Sequence, residues 1–182
     1  MLYPGGTPTQ PEIISVALSK LDLGPSDVFA DIGCGSGSVS ISAARSVKQV
    51  YAIDNREEAV HAVSRNIKEK NITNVSVLKG EAALILPDLD IDCAFLGGSK
   101  NIANVLTILM EKVPRFVVSA VRMETAALAL GAMKSNNKFK ELLQIQISRG
   151  SELAGGTMLK PENPIFLIVG GEPCQSERVK LK

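Results

Sequence analysis

The stretch Asp31–Val39, DIGCGSGSV, decides the fold because it places three glycines at alternate positions directly after an apolar run. The preceding DVFADI predicts a strand that ends in the carboxylate Asp31, and the following GSVSISAARSV predicts a helix of small residues. A glycine turn between a strand and a helix lets a ligand approach the backbone, and the helix N-terminus favours negative charge. The stretch therefore predicts the first βα turn of an α/β sheet, beside the crevice where such sheets bind ligands.

Strand-like and helix-like segments alternate along the rest of the chain. After a first helix in GTPTQPEIISVALSKLDL, further strands are predicted in QVYAID, VSVLKG, DIDCAFLGG and RFVVSAV, and further helices in REEAVHAVSRNIKEKN, NIANVLTILMEKV and METAALALGAMKSNN. These units predict a mostly parallel sheet with helices on both faces. FKELLQIQISRG and NPIFLIVGG predict an antiparallel edge hairpin, which brings the sheet to seven strands. We expect one domain over 1–182, with a lid-like segment at 1–10 and a frayed tail at 172–182.

Composition and charge exclude several classes of function. The 182 residues carry 20 Lys+Arg and 19 Asp+Glu, a net charge of +1 with no basic run, which argues against nucleic-acid binding. The three cysteines are far apart, without the spacing of a metal site, so we expect no metal and reduced thiols. Without a basic-then-apolar leader or a long apolar run, the sequence predicts a soluble cytoplasmic protein that makes no membrane contact.

The glycine spacing indicates which ligand the loop holds. The pattern is GxGxG, and Ser38 stands where the dinucleotide fingerprint GxGxxG has its last glycine or alanine. Asp31 would repel a pyrophosphate but attract an amino-bearing ligand. Asp54, at the end of the second predicted strand, can accept hydrogen bonds from both hydroxyls of a ribose. A ligand with a ribose, an ammonium and a carboxylate but no phosphate is S-adenosylmethionine, with NAD or a merely structural tight turn as the alternatives.

Other strand ends supply further candidate contacts to this cofactor. Glu81 and Ala82, in KGEA, follow strand three where an adenine would lie, although Glu81 is also suited to be the first-turn acid of the next helix. Thr9 is suited either to contact the methionine end or to be the N-cap of the first helix. The candidate cofactor residues in and around the glycine loop are Asp31, Gly33, Cys34, Gly35, Ser36 and Gly37. Cys34 is expected to be a small neighbour rather than an activated thiolate.

Two loops are candidates for substrate binding. FLGGSKN after strand four gives an open loop at Gly97 and Gly98, and Ser99 can cap the following helix; the alternative is a flexible turn. Arg122 and Glu124 follow strand five, either as substrate contacts or as helix-start charges. The Asn/Asp-Pro-Pro-Tyr/Phe pattern of amino-methylating enzymes is absent, which argues against the exocyclic amines of bases as substrates.

The motifs GGTPTQPE, DIGCGSG, YAIDNREEAV, GEA, DCAFLGGS, METAA and SRGSELAGGTMLKPENPIFLIVGG resemble those of the CbiT family, from about Gly5 to about Gly171. Members of that family are decarboxylating cobalt-precorrin C15-methyltransferases of cobalamin biosynthesis. The resemblance implies the Rossmann-like fold of class I methyltransferases. It also implies a cofactor site at Thr9, Gly33 to Gly37, Asp54 and Ala82, and a tetrapyrrole in the cleft between the lid, the GGS loop and the C-terminal hairpin.

The resemblance implies methylation at C15 with loss of carbon dioxide from the C12 acetate. The carbon nucleophile belongs to an electron-rich pyrrolic system, so we assign no general base and expect no protein-bound metal. Two departures matter: GEA replaces the commoner GDA, and AVRMET places Arg122 as a possible contact for a substrate carboxylate. The family also implies a homo-oligomer, commonly a tetramer, with the apolar IFLIV helping to form the interface. The alternatives are a class I methyltransferase acting on tRNA or protein, and a non-catalytic binding module.

Overall fold

The computed structural model describes residues 1–5, 8–98 and 100–172. The helices within these ranges are α1 Pro11–Leu21, α2 Ser38–Ala43, α3 Glu57–Glu69, α4 Ala82–Ile85 with a 3-10 turn at Leu86–Asp88, α5 Ile102–Lys112 and α6 Met123–Ser135. The strands are β1 Val28–Ile32, β2 Gln49–Asp54, β3 Val75–Lys79, β4 Cys93–Leu96, β5 Arg115–Ala120, β6 Phe139–Ile145, β7 Ser148–Leu153, β8 Gly156–Pro161 and β9 Ile165–Gly171.

Seven of these strands form one sheet in the order β3-β2-β1-β4-β5-β9-β6. The strands β1 to β5 pair in parallel, whereas β9 is antiparallel to both β5 and β6. The mostly parallel seven-stranded sheet predicted from the sequence is therefore confirmed, as is the antiparallel pairing of its last two strands. Because the strand order reverses between β1 and β4, their carboxyl ends border the crevice of the sheet.

The C-terminal region differs from the prediction in two respects. FKELLQIQISRG is not one strand: β6 ends at Ile145, and β7 pairs with β8 in a separate two-stranded hairpin. The break occurs because the apolar alternation ends at Ile147, after which Ser148 and Arg149 have no buried face to occupy. In addition, β9 lies inside the sheet, and its Leu167 and Ile168 are fully buried. The expectation that IFLIV contributes an oligomer interface is therefore wrong, since this strand is part of the core.

The core has two layers because alternate residues of each central strand face opposite sides of the sheet. In β1, Phe29 packs with the residues of α1 and α2, while Ala30 and Ile32 pack with those of α5 and α6. A smaller cluster joins β2 to α3 on the α1 side. Burial on both faces explains the near-continuous apolar sequence of these strands. It also keeps rigid the sheet edge at which the polar residues Asp31 and Asp54 emerge.

Two of the helices end or begin in ways that bear on the predictions. The helix α6 ends at Ser135, within the predicted METAALALGAMKSNN, because Asn136 caps it and Asn137 adopts a left-handed φ of 56°. The short helix α4, which begins at Ala82, was not predicted as a separate element because four residues are too few to show a helical period. In the described ranges, every helix is too short or too polar to span a bilayer.

Candidate active site

A cavity of about 350 Å³ lies beyond the carboxyl ends of β1, β2 and β4. Its walls come from the glycine loop, the ends of four strands and the N-terminal segment. Its lining residues include Tyr3, Pro4, Gly5, Pro8, Thr9, Asp31, Gly33, Cys34, Gly35, Ser36, Asp54, Asn55, Arg56, Glu81, Ala82, Gly97, Gly98 and Lys100. The fold thus brings most of the predicted cofactor residues together, from positions as far apart in sequence as Thr9 and Ala82.

The glycines of the loop serve different purposes. Gly33 has a φ of 77°, and a Cβ there would lie 2.7 Å from the backbone nitrogen of Gly98, so the loops after β1 and β4 approach this closely because residue 33 is a glycine. Gly37 has a φ of 78° and packs on Val63 of α3, where a Cβ would lie 2.4 Å from Cγ2. Gly37 is absent from the cavity lining given by the described residues, and its position is explained by packing. Gly35 lines the cavity directly.

Asp31 is buried at the end of β1, with 1% of its surface exposed. The hydrogen bonds it receives from the described residues both fall on Oδ2, from the backbone nitrogen of Ser40 at 2.9 Å and from its hydroxyl at 2.5 Å. Burial raises the pKa of Asp31 to about 6, the Ser40 bonds oppose the rise, and the negative charge of Asp54 adds to it. Asp31 is therefore a carboxyl group whose charge a cationic ligand group would stabilise.

Asp54, at the end of β2, is held by its neighbours along the chain. Its Oδ1 accepts bonds from the backbone nitrogen and Nε of Arg56 at 3.0 and 3.1 Å, and its Oδ2 from the Gly35 nitrogen and Arg56 Nη2 at 3.0 and 3.1 Å. Burial alone would raise the pKa of Asp54, but these hydrogen bonds outweigh burial and lower it. Asp54 is thus an ionised acceptor fixed at the mouth of the glycine loop.

The N-terminal residues Met1–Gly5, here named the strap, form one wall of the cavity. The side chain of Asn66, fully buried on α3, donates to the carbonyls of Leu2 and Ser36 at 2.8 Å and accepts from the Leu2 nitrogen at 2.6 Å. Nη1 of Arg56 donates to the Gly5 carbonyl at 2.8 Å. Asn66 and Arg56 were missed from the sequence; the signal in Asn66 is an amide among the apolar positions of an amphipathic helix.

The two residues predicted to contact an adenine, Glu81 and Ala82, both line the first cavity. Ala82 begins α4 and lines the cavity beside Glu81, whose Oε1 accepts a bond from Asn101 at 3.2 Å. Cys34 is buried in the glycine loop, and burial raises the pKa of its thiol far above the ordinary range, so it stays protonated at neutral pH. Cys34 is a small apolar neighbour of the cavity, in agreement with a side chain that performs no chemistry.

A second cavity of about 170 Å³ adjoins the first at the end of β5. Arg122 and the buried Thr125 line it, together with Ser119, Ala120 and Val121. Pro8, Thr9 and Gly97 line both cavities, so the two sites share one wall. That shared wall is where a group could pass from a ligand in one cavity to a ligand in the other.

The remaining candidates take other positions. Gly97 and Gly98, nominated for substrate, line the first cavity, and Gly97 also lines the second. Glu124 is an exposed first-turn residue of α6 and, in the described part of the chain, lines neither cavity. Thr9 is not the N-cap of α1, because Gln10 holds that position. Ser99 lies outside the described residues, and the N-cap of α5 is Asn101.

The described ranges hold no group of three or more His, Cys, Asp or Glu side chains placed to bind a metal ion. The polar side chains that line the first cavity include three carboxylates, the cations Arg56 and Lys100, and several hydroxyl groups. Such a set suits an organic ligand with hydroxyl and ammonium groups.

Comparison with known sequences agrees with this description. The family model described as the precorrin methyltransferase domain matches residues 3–170. A relative from Methanosarcina mazei, named "Probable cobalt-precorrin-6B C(15)-methyltransferase (decarboxylating)", is 51% identical over 172 residues, covering 91% of this chain and 94% of the relative. The family expected from the motifs is thereby confirmed.

Solved structures share the fold over nearly the entire chain. A precorrin 8W decarboxylase from Methanobacterium thermoautotrophicum superposes with a TM-score of 0.86 at 32% identity, covering 93% of this chain and 94% of that one. A precorrin-6y C5,15-methyltransferase from Geobacter metallireducens superposes with a TM-score of 0.87 at 25% identity, covering 94% of each chain. The methyltransferase fold that the motifs implied is confirmed.

Proposed function

This chain belongs to the family of precorrin methyltransferase domains, and we propose that it is an S-adenosylmethionine-dependent methyltransferase that methylates a cobalt-precorrin or precorrin at C15 and removes the carboxyl group of the C12 acetate. The single observation that carries the proposal is the pair of cavities that share Pro8, Thr9 and Gly97. One cavity has the polar groups for a nucleoside with an amino acid arm, and its neighbour carries an arginine.

The residues of the first cavity fit S-adenosylmethionine. A Cβ at Gly33 would overlap the backbone of Gly98, so this position has to be a glycine. Because Gly33 and Gly35 have no side chains, a ligand in the cavity can lie directly against the main chain of the loop. Asp54 is ionised and aimed at the loop, which suits a ribose, and Asp31 suits an ammonium group. Ala82 and Glu81 supply a small side chain and an acceptor for the adenine.

When bound, the cofactor supplies a methyl group on a sulfonium, which a carbon nucleophile takes by in-line displacement. The part of this chain is to position the two reactants, and Thr9 and Gly97 are placed to do so because they border both cavities. The pyrrolic ring supplies the electron pair for the new bond and later accepts the pair left by departing carbon dioxide, so the side chains need only hold the acetate.

The second cavity suits an acidic macrocycle. Arg122 lines it and offers a charge-assisted contact to an acetate or propionate arm, and Val121 exposes 57% of an apolar side chain beside it. The neighbouring Met123 exposes 64%, so an apolar surface flanks the arginine. A flat ring with carboxylate arms meets both features, whereas an RNA substrate would require a basic surface that a net charge of +1 does not favour.

We further propose that the chain forms a homo-oligomer through the hairpin β7–β8. This hairpin exposes Leu153, Met158 and Leu159, with 60%, 39% and 69% of their surfaces open. Arg149 of the hairpin forms ion pairs with Glu12 of α1 and with Glu162, which follows β8, so these contacts to the hairpin are polar. Exposed apolar side chains on a projecting hairpin are a feature of association surfaces.

The function is tested by incubating the protein with S-adenosylmethionine carrying a ¹³C methyl group and with cobalt-precorrin-6B, and by measuring the product mass. We expect one labelled methyl gained and one carbon dioxide lost, with a strong reduction for Asp54→Ala. In a parallel incubation with a cell extract, a label found in tRNA or protein instead of the tetrapyrrole would support the alternative substrate classes. An unmodified tetrapyrrole in a sample that binds the cofactor would contradict the proposed substrate.

A further inference from the structure

The carboxylate of Asp54 is saturated with hydrogen bonds. Four reach it from the described residues: two on Oδ1 from the nitrogen and Nε of Arg56, and two on Oδ2 from the Gly35 nitrogen and Arg56 Nη2. A carboxylate offers about four lone-pair directions in all. The two hydroxyls of a ribose therefore have no unoccupied acceptor at Asp54 while all four contacts persist.

Two of the four contacts are fixed and two are removable. The Gly35 and Arg56 amides belong to the main chain and hold the carboxylate in place. The other two come from the guanidinium of Arg56, whose side chain is 41% exposed and lines the cavity. A guanidinium that binds both oxygens of one carboxylate presents the same pair of donors as the two hydroxyls of a ribose.

We propose that the Arg56 guanidinium occupies the ribose position on Asp54 and that cofactor binding exchanges it for the ribose hydroxyls. The inference rests on the proposed function, because it requires a ligand with a ribose in this cavity. The backbone amides keep Asp54 oriented throughout the exchange, and Nη1 retains a partner in the Gly5 carbonyl at 2.8 Å. Arg56 thereby lowers the affinity for the cofactor and sets how much the ribose hydroxyls contribute to it.

The experiment compares two ligands in two proteins by calorimetry: S-adenosylhomocysteine and its 2′,3′-dideoxy analogue, each with the wild type and with Arg56→Met. The affinity for S-adenosylhomocysteine divided by the affinity for the dideoxy analogue measures how much the two ribose hydroxyls contribute to binding. Because the strap covers both ligands alike, any effect of losing the Gly5 contact cancels in this ratio. We expect the ratio to be about fivefold larger in Arg56→Met, since a partly exposed ion pair is worth up to about that factor.

Ionic strength provides a second readout. In the exchange, the ribose hydroxyls replace the ion pair between Arg56 and Asp54, and high salt weakens that ion pair. Raising the salt concentration should therefore strengthen the binding of S-adenosylhomocysteine to the wild type relative to its binding to Arg56→Met. The matched control is Arg65→Met, which removes an equal charge from the same helix at an exposed pair with Glu69. Arg65→Met should leave the ligand ratio at the wild-type value.

An equal ratio in wild type and Arg56→Met, in a variant whose thermal unfolding shows it folded, would overturn the exchange while leaving the proposed function intact. A smaller ratio in the variant would overturn it as well, because it would mean that Arg56 assists the ribose. Failure of wild type to bind S-adenosylhomocysteine at all would overturn the proposed function together with the exchange. Arg56→Gln, which keeps a polar side chain, repeats the test if Arg56→Met does not fold.

Discussion

Asp31 is a buried carboxyl group whose charge can change slightly below neutral pH. Burial raises its pKa to about 6, and the two Ser40 hydrogen bonds only partly oppose this. A nearby ammonium would favour the ionised form and pull the pKa down again. Cofactor binding and ionisation of Asp31 are therefore linked, because the ligand binds the charged form better.

This linkage predicts how affinity depends on pH. Above pH 6 Asp31 is ionised in the free protein and affinity should be constant, whereas below pH 6 a proton must leave before the ammonium can bind. The affinity for S-adenosylhomocysteine should then fall by up to about tenfold for each pH unit. Calorimetry between pH 5 and 8 checks this, and Asp31→Asn should give weak binding without the pH trend. An equally steep trend in Asp31→Asn would assign it to another group.

An alanine in place of Gly35 should lower both the stability of the protein and its affinity for the cofactor. Gly35 has a φ of 53°, and the nearest atom to an added Cβ is Arg56 Nη2 at 3.9 Å, so Gly35→Ala should cost only about 1–2 kcal/mol of stability. Its methyl group would enter the cavity and weaken cofactor binding about tenfold. Urea unfolding and calorimetry measure the two effects separately.

Gly33→Ala serves as the comparison, because its Cβ would overlap the backbone of Gly98 at 2.7–2.9 Å. We expect a larger loss of stability than in Gly35→Ala. Equal stability of the two variants would show that the contact between the loops after β1 and β4 yields easily.

Sequence reasoning succeeds at single residues where a local signal exists. The glycine spacing, Asp31 and Asp54 stand at predicted strand ends, and the sheet topology alone brings those ends together. Arg56 could not be assigned, because its bond to Gly5 depends on the path of the strap, and its side-chain bonds to Asp54 depend on a side-chain conformation that sequence spacing does not show. For Thr9 the sequence allowed two roles, a contact to the cofactor and the N-cap of α1. The second is wrong, because α1 begins one residue later than an N-cap at Thr9 requires.

At the scale of elements, α3 holds the strap and the glycine loop together. Asn66 bonds both Leu2 and Ser36, and Gly37 packs on Val63 of the same helix. One helix therefore fixes two walls of the cavity. The amphipathic pattern of α3 was readable from the sequence, but the partners of its buried amide come from distant segments.

Asn66→Ala tests this role of α3. The substitution leaves the carbonyl of the buried Ser36 unpaired, and we expect a loss of about 2–3 kcal/mol in urea unfolding. The control is Asn104→Ala, an exposed residue of α5 whose loss should change stability by no more than about 0.5 kcal/mol. Similar losses in both variants would mean that the strap and loop are held by other contacts.

The hairpin β7–β8 marks the limit of prediction by periodicity. Its residues are exposed nearly throughout, so no buried face imposes a two-residue alternation on them. Its first residues, Ser148 to Gly150, were consequently predicted as part of the same strand as β6, and the hairpin itself was not predicted. By contrast, the strands β1, β4 and β5 are buried on both faces and were assigned from continuous apolar sequence.

At the scale of the whole molecule, the proposed function assigns one of the two neighbouring cavities to the cofactor and the other to the substrate. Arg122 lines only the second of them, on the far side of the wall formed by Pro8, Thr9 and Gly97. Substitutions in one cavity should therefore affect one ligand. The sequence placed Arg122 at the active edge of the sheet but could not show that a separate cavity surrounds it.

Arg122→Gln should raise the KM for the tetrapyrrole about tenfold, the worth of one charge-assisted hydrogen bond, and leave the affinity for S-adenosylhomocysteine unchanged. Glu124→Gln is the matched control, since Glu124 is exposed in the same first turn outside both cavities of the described structure. An equal effect of both substitutions on KM would point to general electrostatics at the cavity mouth rather than to a contact with Arg122.

The most direct test of the central claim is a crystal structure of the protein with S-adenosylhomocysteine. We expect density for the ligand beyond the ends of β1, β2 and β4. Its ribose hydroxyls should lie on Asp54, its ammonium near Asp31, its adenine beside Ala82, and its sulfur should face Thr9 and Gly97. Density for the ligand outside this cavity, or a ribose held away from Asp54, would contradict it.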